Sequence, residues 1–131
     1  MAKLRHIAMS VPDPEAAAKF YCDVFEMEVV GETKSPLADG LYLSDGTMCL
    51  ALLKYKADEW AGMDKDAKAI NHVGFWVDDL DKEEEKIKKA GGTFFKELPL
   101  DKSSLYYEKK FRDPNGIIFD ISHNGWVGAK K

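Results

Sequence analysis

The chain writes one pattern twice. Leu4-Arg5-His6-Ile7-Ala8-Met9-Ser10-Val11 returns without a gap as Ile70-Asn71-His72-Val73-Gly74-Phe75-Trp76-Val77, 66 residues later. An acidic turn able to cap a helix follows each copy, Pro12-Asp13-Pro14-Glu15 and then Asp78-Asp79-Leu80-Asp81. Ala17, Phe20, Tyr21 and Val24 then give an apolar stripe of helical period, and Leu80, Ile87 and Ala90 a thinner one ending at Gly91-Gly92. Three strand-like runs complete each half, at about 28–33, 40–44 and 47–53, and at about 93–98, 105–112 and 117–122. Ser44-Asp45-Gly46 and Asp113-Pro114-Asn115-Gly116 are the hairpin turns. The prediction is βαβββ twice, with a first module over about 3–53, a polar, partly helical linker over about 54–68 and a second module over about 69–124. One curved sheet and one helix cannot stand alone. Side by side, the modules would build an α+β domain with a curved, mostly open mixed sheet around a cavity.

At 131 residues the chain fits one domain, and its 45% apolar and 32% charged residues are an ordinary globular balance. A net charge of −4 without a basic stripe excludes nucleic acid as a partner. No apolar run approaches the roughly 20 residues of a bilayer span. The Met-Ala-Lys start runs straight into strand pattern rather than a leader. Cys22 and Cys49 form no C-x-x-C pair, which removes zinc-finger and redox readings. A cytoplasmic protein with reduced thiols is expected.

Period-2 alternation assigns the faces of the strands. His6, Ala8 and Ser10 share one side of the first strand, and His72, Gly74 and Trp76 one side of its repeat. Ile7, Met9 and Val11, like Val73, Phe75 and Val77, would pack on the helices, which leaves the histidines on the concave face. Ala8 and Gly74 leave volume beside each imidazole. In the last strand Asp120 stands with Ile118 and Ser122, where a lone carboxylate would be costly to bury. Two of the three histidines thus occupy equivalent places in the two halves. Two neutral imidazoles and one carboxylate with open positions form a set for a divalent ion such as Fe2+, Mn2+, Ni2+ or Zn2+. His123 alternates to the face opposite Asp120 and is expected at the surface or in a subunit contact.

The paired His-Ile-Ala and His-Val-Gly strands, the helix carrying Ala18-Lys19-Phe20-Tyr21-Cys22-Asp23-Val24-Phe25, and Asp113-Pro114-Asn115-Gly116 with an acid four residues on resemble the vicinal oxygen chelate superfamily. That group includes glyoxalases, extradiol dioxygenases, methylmalonyl-CoA epimerases, fosfomycin-resistance transferases and bleomycin-resistance proteins. The resemblance runs from Leu4 to about Ser122 and implies His6, His72 and Asp120 as metal ligands. Most relatives carry glutamate where Asp120 stands. A fourth ligand, which glyoxalases and epimerases place on the last strand of the first half, is missing from Met48-Cys49-Leu50-Ala51-Leu52. The resemblance therefore points to three-ligand chemistry of dioxygenase or transferase kind rather than to a glyoxalase.

The expected activity is that of a metal-dependent lyase- or dioxygenase-type enzyme on a small substrate that chelates the ion through adjacent oxygens. Tyr107, Lys110 and Arg112, with Tyr106 beside them, are the candidate acid, base or orienting groups. The alternative is a metal-free drug-binding protein of the bleomycin-resistance kind, lined by aromatics such as Trp60, Trp76 and Trp126. The resemblance also implies a homodimer sharing its sites, with His6 from one chain and His72 and Asp120 from the other. A half-closed sheet with an open edge gives the same expectation.

Overall fold

The computed structural model describes residues 1–131. Its elements run β1 (Lys3–Ser10), α1 (Pro14–Phe25), β2 (Glu28–Lys34), β3 (Ala38–Ser44), β4 (Cys49–Tyr55), α2 (Asp58–Ala61), β5 (Ala69–Trp76), α3 (Leu80–Lys89), β6 (Thr93–Glu97), β7 (Lys109–Arg112) and β8 (Ile118–Ser122). Asp13 and Asp79 cap the two long helices as expected, accepting from the backbone N–H of Ala16 and Lys82, both at 3.1 Å. Asp45 and Asp113 fold the hairpin turns by accepting backbone N–H groups of the residues just after them.

The eight strands form one curved open sheet in the order β2-β3-β4-β1-β5-β8-β7-β6. β1 pairs with β4 and β5 with β8 in parallel, and β1 meets β5 antiparallel at the centre. The two histidine strands are therefore direct neighbours. On the convex side Ile7, Met9 and Val11 pack with Ala18, Leu43 and Leu52 beneath α1, while Phe75, Val77, Phe111 and Ile121 pack with Leu80 and Ile87 of α3. His6, Ala8 and Ser10 are buried on the concave side, as the alternation predicts.

One strand boundary is corrected. The strand expected over 105–112 begins only at Lys109. Upstream, Asp101 accepts from the N–H and the hydroxyl of Ser103, and Ser104 accepts from the N–H of Tyr106, so local side-chain turns outcompete the ladder. The edge strands β2 and β6 carry Glu28, Glu32, Lys34, Lys96 and Glu97, and each has a register shift. No helix is long and apolar enough to cross a membrane.

Candidate metal centre

The central pairing sets the geometry of the site. Across β1 and β5, His6 lies opposite Gly74 and His72 opposite Ala8, so each imidazole extends over a neighbour with little or no side chain. β8 then places Asp120 beside Gly74. All three groups are buried, and one donor atom from each lies within 4.8 Å of the others. Nε2 of His6 is 3.2 Å from Nε2 of His72, which is 3.0 Å from Oδ2 of Asp120. Adjacent donors around an octahedral ion with bonds of about 2.1 Å are about 3.0 Å apart, so these edges fit a shared ion. The shared-site expectation is corrected here, because His6, His72 and Asp120 converge within one chain.

The chemistry of the donors fits as well. Asn71 Nδ2 donates to the Ala61 carbonyl at 3.0 Å, which fixes the amide so that its oxygen faces His72 Nδ1 at 2.7 Å. Nδ1 must then carry the proton, and Nε2 of the neutral ring is a bare lone pair. Burial, aided by the Lys110 charge, holds the His72 pKa well below its usual value and keeps the ring neutral. Burial, and then the neighbouring His72, brings His6 down to about 3. A bare lone pair facing a carboxylate oxygen at 3.0 Å is unfavourable unless a cation or a proton lies between them. His6 Nδ1 is buried without a well-formed hydrogen bond, with only a weak pull from the Cys49 backbone. No fourth ligand completes the set. In the first half Ala51 lies opposite Ala8, where the second half has Asp120 opposite Gly74. Cys49 is buried beside His6, and burial, then the Glu108 charge, pushes its thiol up to about 12, so it is not a thiolate.

Of the other candidates, Tyr106 lines the adjoining cavity with its ring against Tyr42, and Lys110 touches the ligand set. Its Nζ lies 3.0 and 2.9 Å from the two oxygens of Asp120 and 3.2 Å from Oε2 of Glu108. Burial opposes its charge, but the two carboxylates more than offset this and hold the ammonium above its usual range. Tyr107 points away and bonds its hydroxyl to Glu97, because residues of odd number on this segment face the other side. Arg112 is a clamp: it donates to the carbonyls of Gly62 and Gly116, both at 3.0 Å, and its guanidinium lies over Phe95. His123 stands apart, edge-on to Tyr107.

Sequence reasoning missed Glu108, Asn71 and the placement of Trp126. The Trp126 indole stacks on the His6 ring, with centroids 4.8 Å apart and planes 6° apart, and donates to Glu108 at 2.6 Å. Burial, and then the Asp120 charge, raises the Glu108 carboxyl above its usual value. Gly74 makes room for this stack. A Cβ there would sit 2.7 Å from the Trp126 ring and 2.9 Å from His6 Cβ. Gly74→Val is expected to destabilise the protein by roughly 1–3 kcal/mol through overpacking, measurable by urea unfolding.

The histidines open onto a cavity of about 500 Å³. Its walls include Leu53, Trp60, Tyr42 and Tyr55, and its rim carries one loop from each half, Ser35-Pro36-Leu37 and Leu98-Pro99-Leu100. Polar groups gather at one end, where His6, His72, Glu108 and Lys110 meet. The arrangement suits a small ligand with an apolar body and a polar head.

Comparison with known proteins agrees with this architecture. The family described as Glyoxalase/Bleomycin resistance protein/Dioxygenase superfamily matches residues 3–121. Among solved structures, a hypothetical protein from Bacillus halodurans C-125 is similar, at 18% identity over 92% of each chain and a TM-score of 0.75. A methylmalonyl-CoA epimerase in complex with methylmalonyl-CoA and NH4+ has 17% identity over 92% of this chain and 93% of its own, with a TM-score of 0.74. The methylmalonyl-CoA epimerase from Mycobacterium tuberculosis has 19% identity over 90% and 85%, with a TM-score of 0.72. At such identities these likenesses speak to the fold. No curated protein matches the sequence.

Proposed function

Since the chain belongs to the glyoxalase/bleomycin resistance protein/dioxygenase superfamily, we propose that it is an enzyme using a divalent ion held by His6, His72 and Asp120. Its substrate is a small molecule that offers the ion two adjacent oxygens and lays an apolar body along the cavity. The observation that carries this reading is the convergence of His6, His72 and Asp120, all buried, with one donor atom of each within 4.8 Å of the others. Fe2+, Mn2+, Ni2+ and Zn2+ all suit two imidazoles and a carboxylate. When bound, such an ion supplies Lewis acidity at its open positions.

The chain's own groups do the rest. Leu53, Trp60 and the two proline-bearing rim loops exclude water from the substrate's apolar part. Lys110 holds Asp120 and Glu108 in place and keeps a positive charge at the polar end, where an anionic oxygen would sit. Glu108, anchored by Trp126 and with its pKa raised by burial, can take a proton from a bound substrate and return it. The missing fourth ligand favours dioxygenase- or transferase-like chemistry.

A second reading, a metal-free drug-binding protein, is favoured by one observation: Lys110 already sits on both Asp120 oxygens. Titration with Mn2+ followed by electron paramagnetic resonance separates the two. One ion per chain is expected, with binding lost in His72→Ala. Tag-free protein that binds none of Fe2+, Mn2+, Ni2+ and Zn2+ would overturn the metal reading and favour the second.

A further inference from the structure

β1 and β5 both lose register just before their histidines. Leu4 pairs with Phe75 and His6 with Gly74, so Arg5 is extra in β1. Ala8 pairs with His72 and Met9 with Ile70, so Asn71 is extra in β5. The two extra residues occupy the same place in the repeat, but they act differently. Arg5 reaches away to the backbone of the chain's last residues, donating from Nη2 to the Lys131 carbonyl at 3.2 Å. Asn71 turns inward, and it and His72 are both buried although they are consecutive in a strand. A bulge makes this possible, because the unpaired residue is freed from strict alternation.

We infer that Asn71 is a positioning residue that locks His72 in the tautomer with Nδ1 protonated and Nε2 aimed at the ion. The inference rests on the metal reading above. Three contacts fix the amide: Nδ2 donates to the Ala61 carbonyl at 3.0 Å, and Oδ1 accepts from the Tyr55 hydroxyl at 3.2 Å and from His72 Nδ1 at 2.7 Å. The Ala61 carbonyl can only accept, and a flipped amide would set its oxygen against that carbonyl, so the amide has one orientation. Through Ala61 the lock ties His72 to α2, and Arg112 holds the next residue, Gly62, against β7. His6 has no such partner on Nδ1. The two histidines, equivalent in the repeat, are therefore unequal: His72 is held by its own bulge, and His6 only by the stacked Trp126.

Partners of this kind on a ligand histidine typically set metal affinity by about 10- to 100-fold. The test has two arms. In the first, 15N NMR of the metal-free parent at neutral pH reads the His72 tautomer directly. A proton on Nδ1 is expected, and a proton on Nε2, or rapid exchange between the two, would overturn the inference. In the second, Mn2+ affinity is measured in Asn71→Leu and in Asn71→Asp, which keeps an acceptor oxygen. About 10- to 100-fold weakening in Asn71→Leu, with a smaller loss in Asn71→Asp, which keeps the acceptor for His72 Nδ1 but not the donor to Ala61, supports the lock. Equal affinity in all three proteins would overturn it. A residue that merely fills space would lower thermal stability without moving the tautomer. If the parent binds no ion, the metal reading fails, and the tautomer arm alone decides the role of Asn71.

Discussion

Lys110→Met is expected to destabilise the metal-free protein by roughly 3–5 kcal/mol, the cost of stripping one partner from a buried ionic cluster. Lys110 is the only cation the structure places against Asp120 and Glu108, with Nζ 2.9 to 3.2 Å from their oxygens, and all three residues are buried. With it the cluster carries one net negative charge, and without it two adjacent carboxylates remain. A divalent ion between His6, His72 and Asp120 would restore the balance. The variant should therefore bind Mn2+ more tightly than the parent and recover much of its lost stability when the ion is added. Unfolding curves with and without Mn2+ check this. A variant as stable as the parent, or one that gains no more from Mn2+, would contradict the electrostatic account.

Acid should unfold the metal-free protein well above the usual carboxylate range. His6 titrates near 3 in the folded protein, with His72 also held far down, against an ordinary value of 6.5. As pH falls below 6.5 the unfolded chain takes up protons that the folded chain refuses. Stability is thus fully present above that value and is lost as pH drops toward the folded values. Each imidazole contributes a slope of up to about 1.4 kcal/mol per pH unit. Glu108 works the other way, since its raised pKa makes the folded state bind a proton earlier as pH falls. The net loss between about pH 6.5 and 4.5 should be roughly 2–4 kcal/mol. Bound ion should raise stability most at neutral pH and be released on acidification, because it competes with protons for the same nitrogens. Thermal unfolding across this range gives the curve, and a flat profile would mean that the imidazoles are not held neutral by burial.

The convergence of His6, His72 and Asp120 could be read from the chain because its information is local and repeated. The 66-residue offset equates His6 with His72, and period-2 alternation carries Asp120 to the same face. The rest of the site follows different rules. Glu108 was within reach: once Lys110 faces Asp120 across the β7–β8 ladder, alternation sends Glu108 inward and Tyr107 outward. Arg112 shares the parity of Lys110, but it stands at the end of its strand, where two carbonyls and an aromatic ring draw its guanidinium aside. Asn71 breaks alternation through a bulge that nothing in the local pattern announces. Trp126 reaches His6 only after the chain has turned back past β8, through Gly125 at a positive φ of 76°. The expected sharing of the site between subunits fails for a topological reason. β1 and β5 are adjacent and antiparallel within one sheet, so the two imidazoles meet without help from a second chain.

Crystals grown with Mn2+ and measured for anomalous scattering give the most direct test. The expected result is a single peak per chain, about 2.0–2.2 Å from Nε2 of His6, Nε2 of His72 and an oxygen of Asp120, all from the same polypeptide. A map without a peak there, or with one bridging histidines of two different chains, would contradict the account.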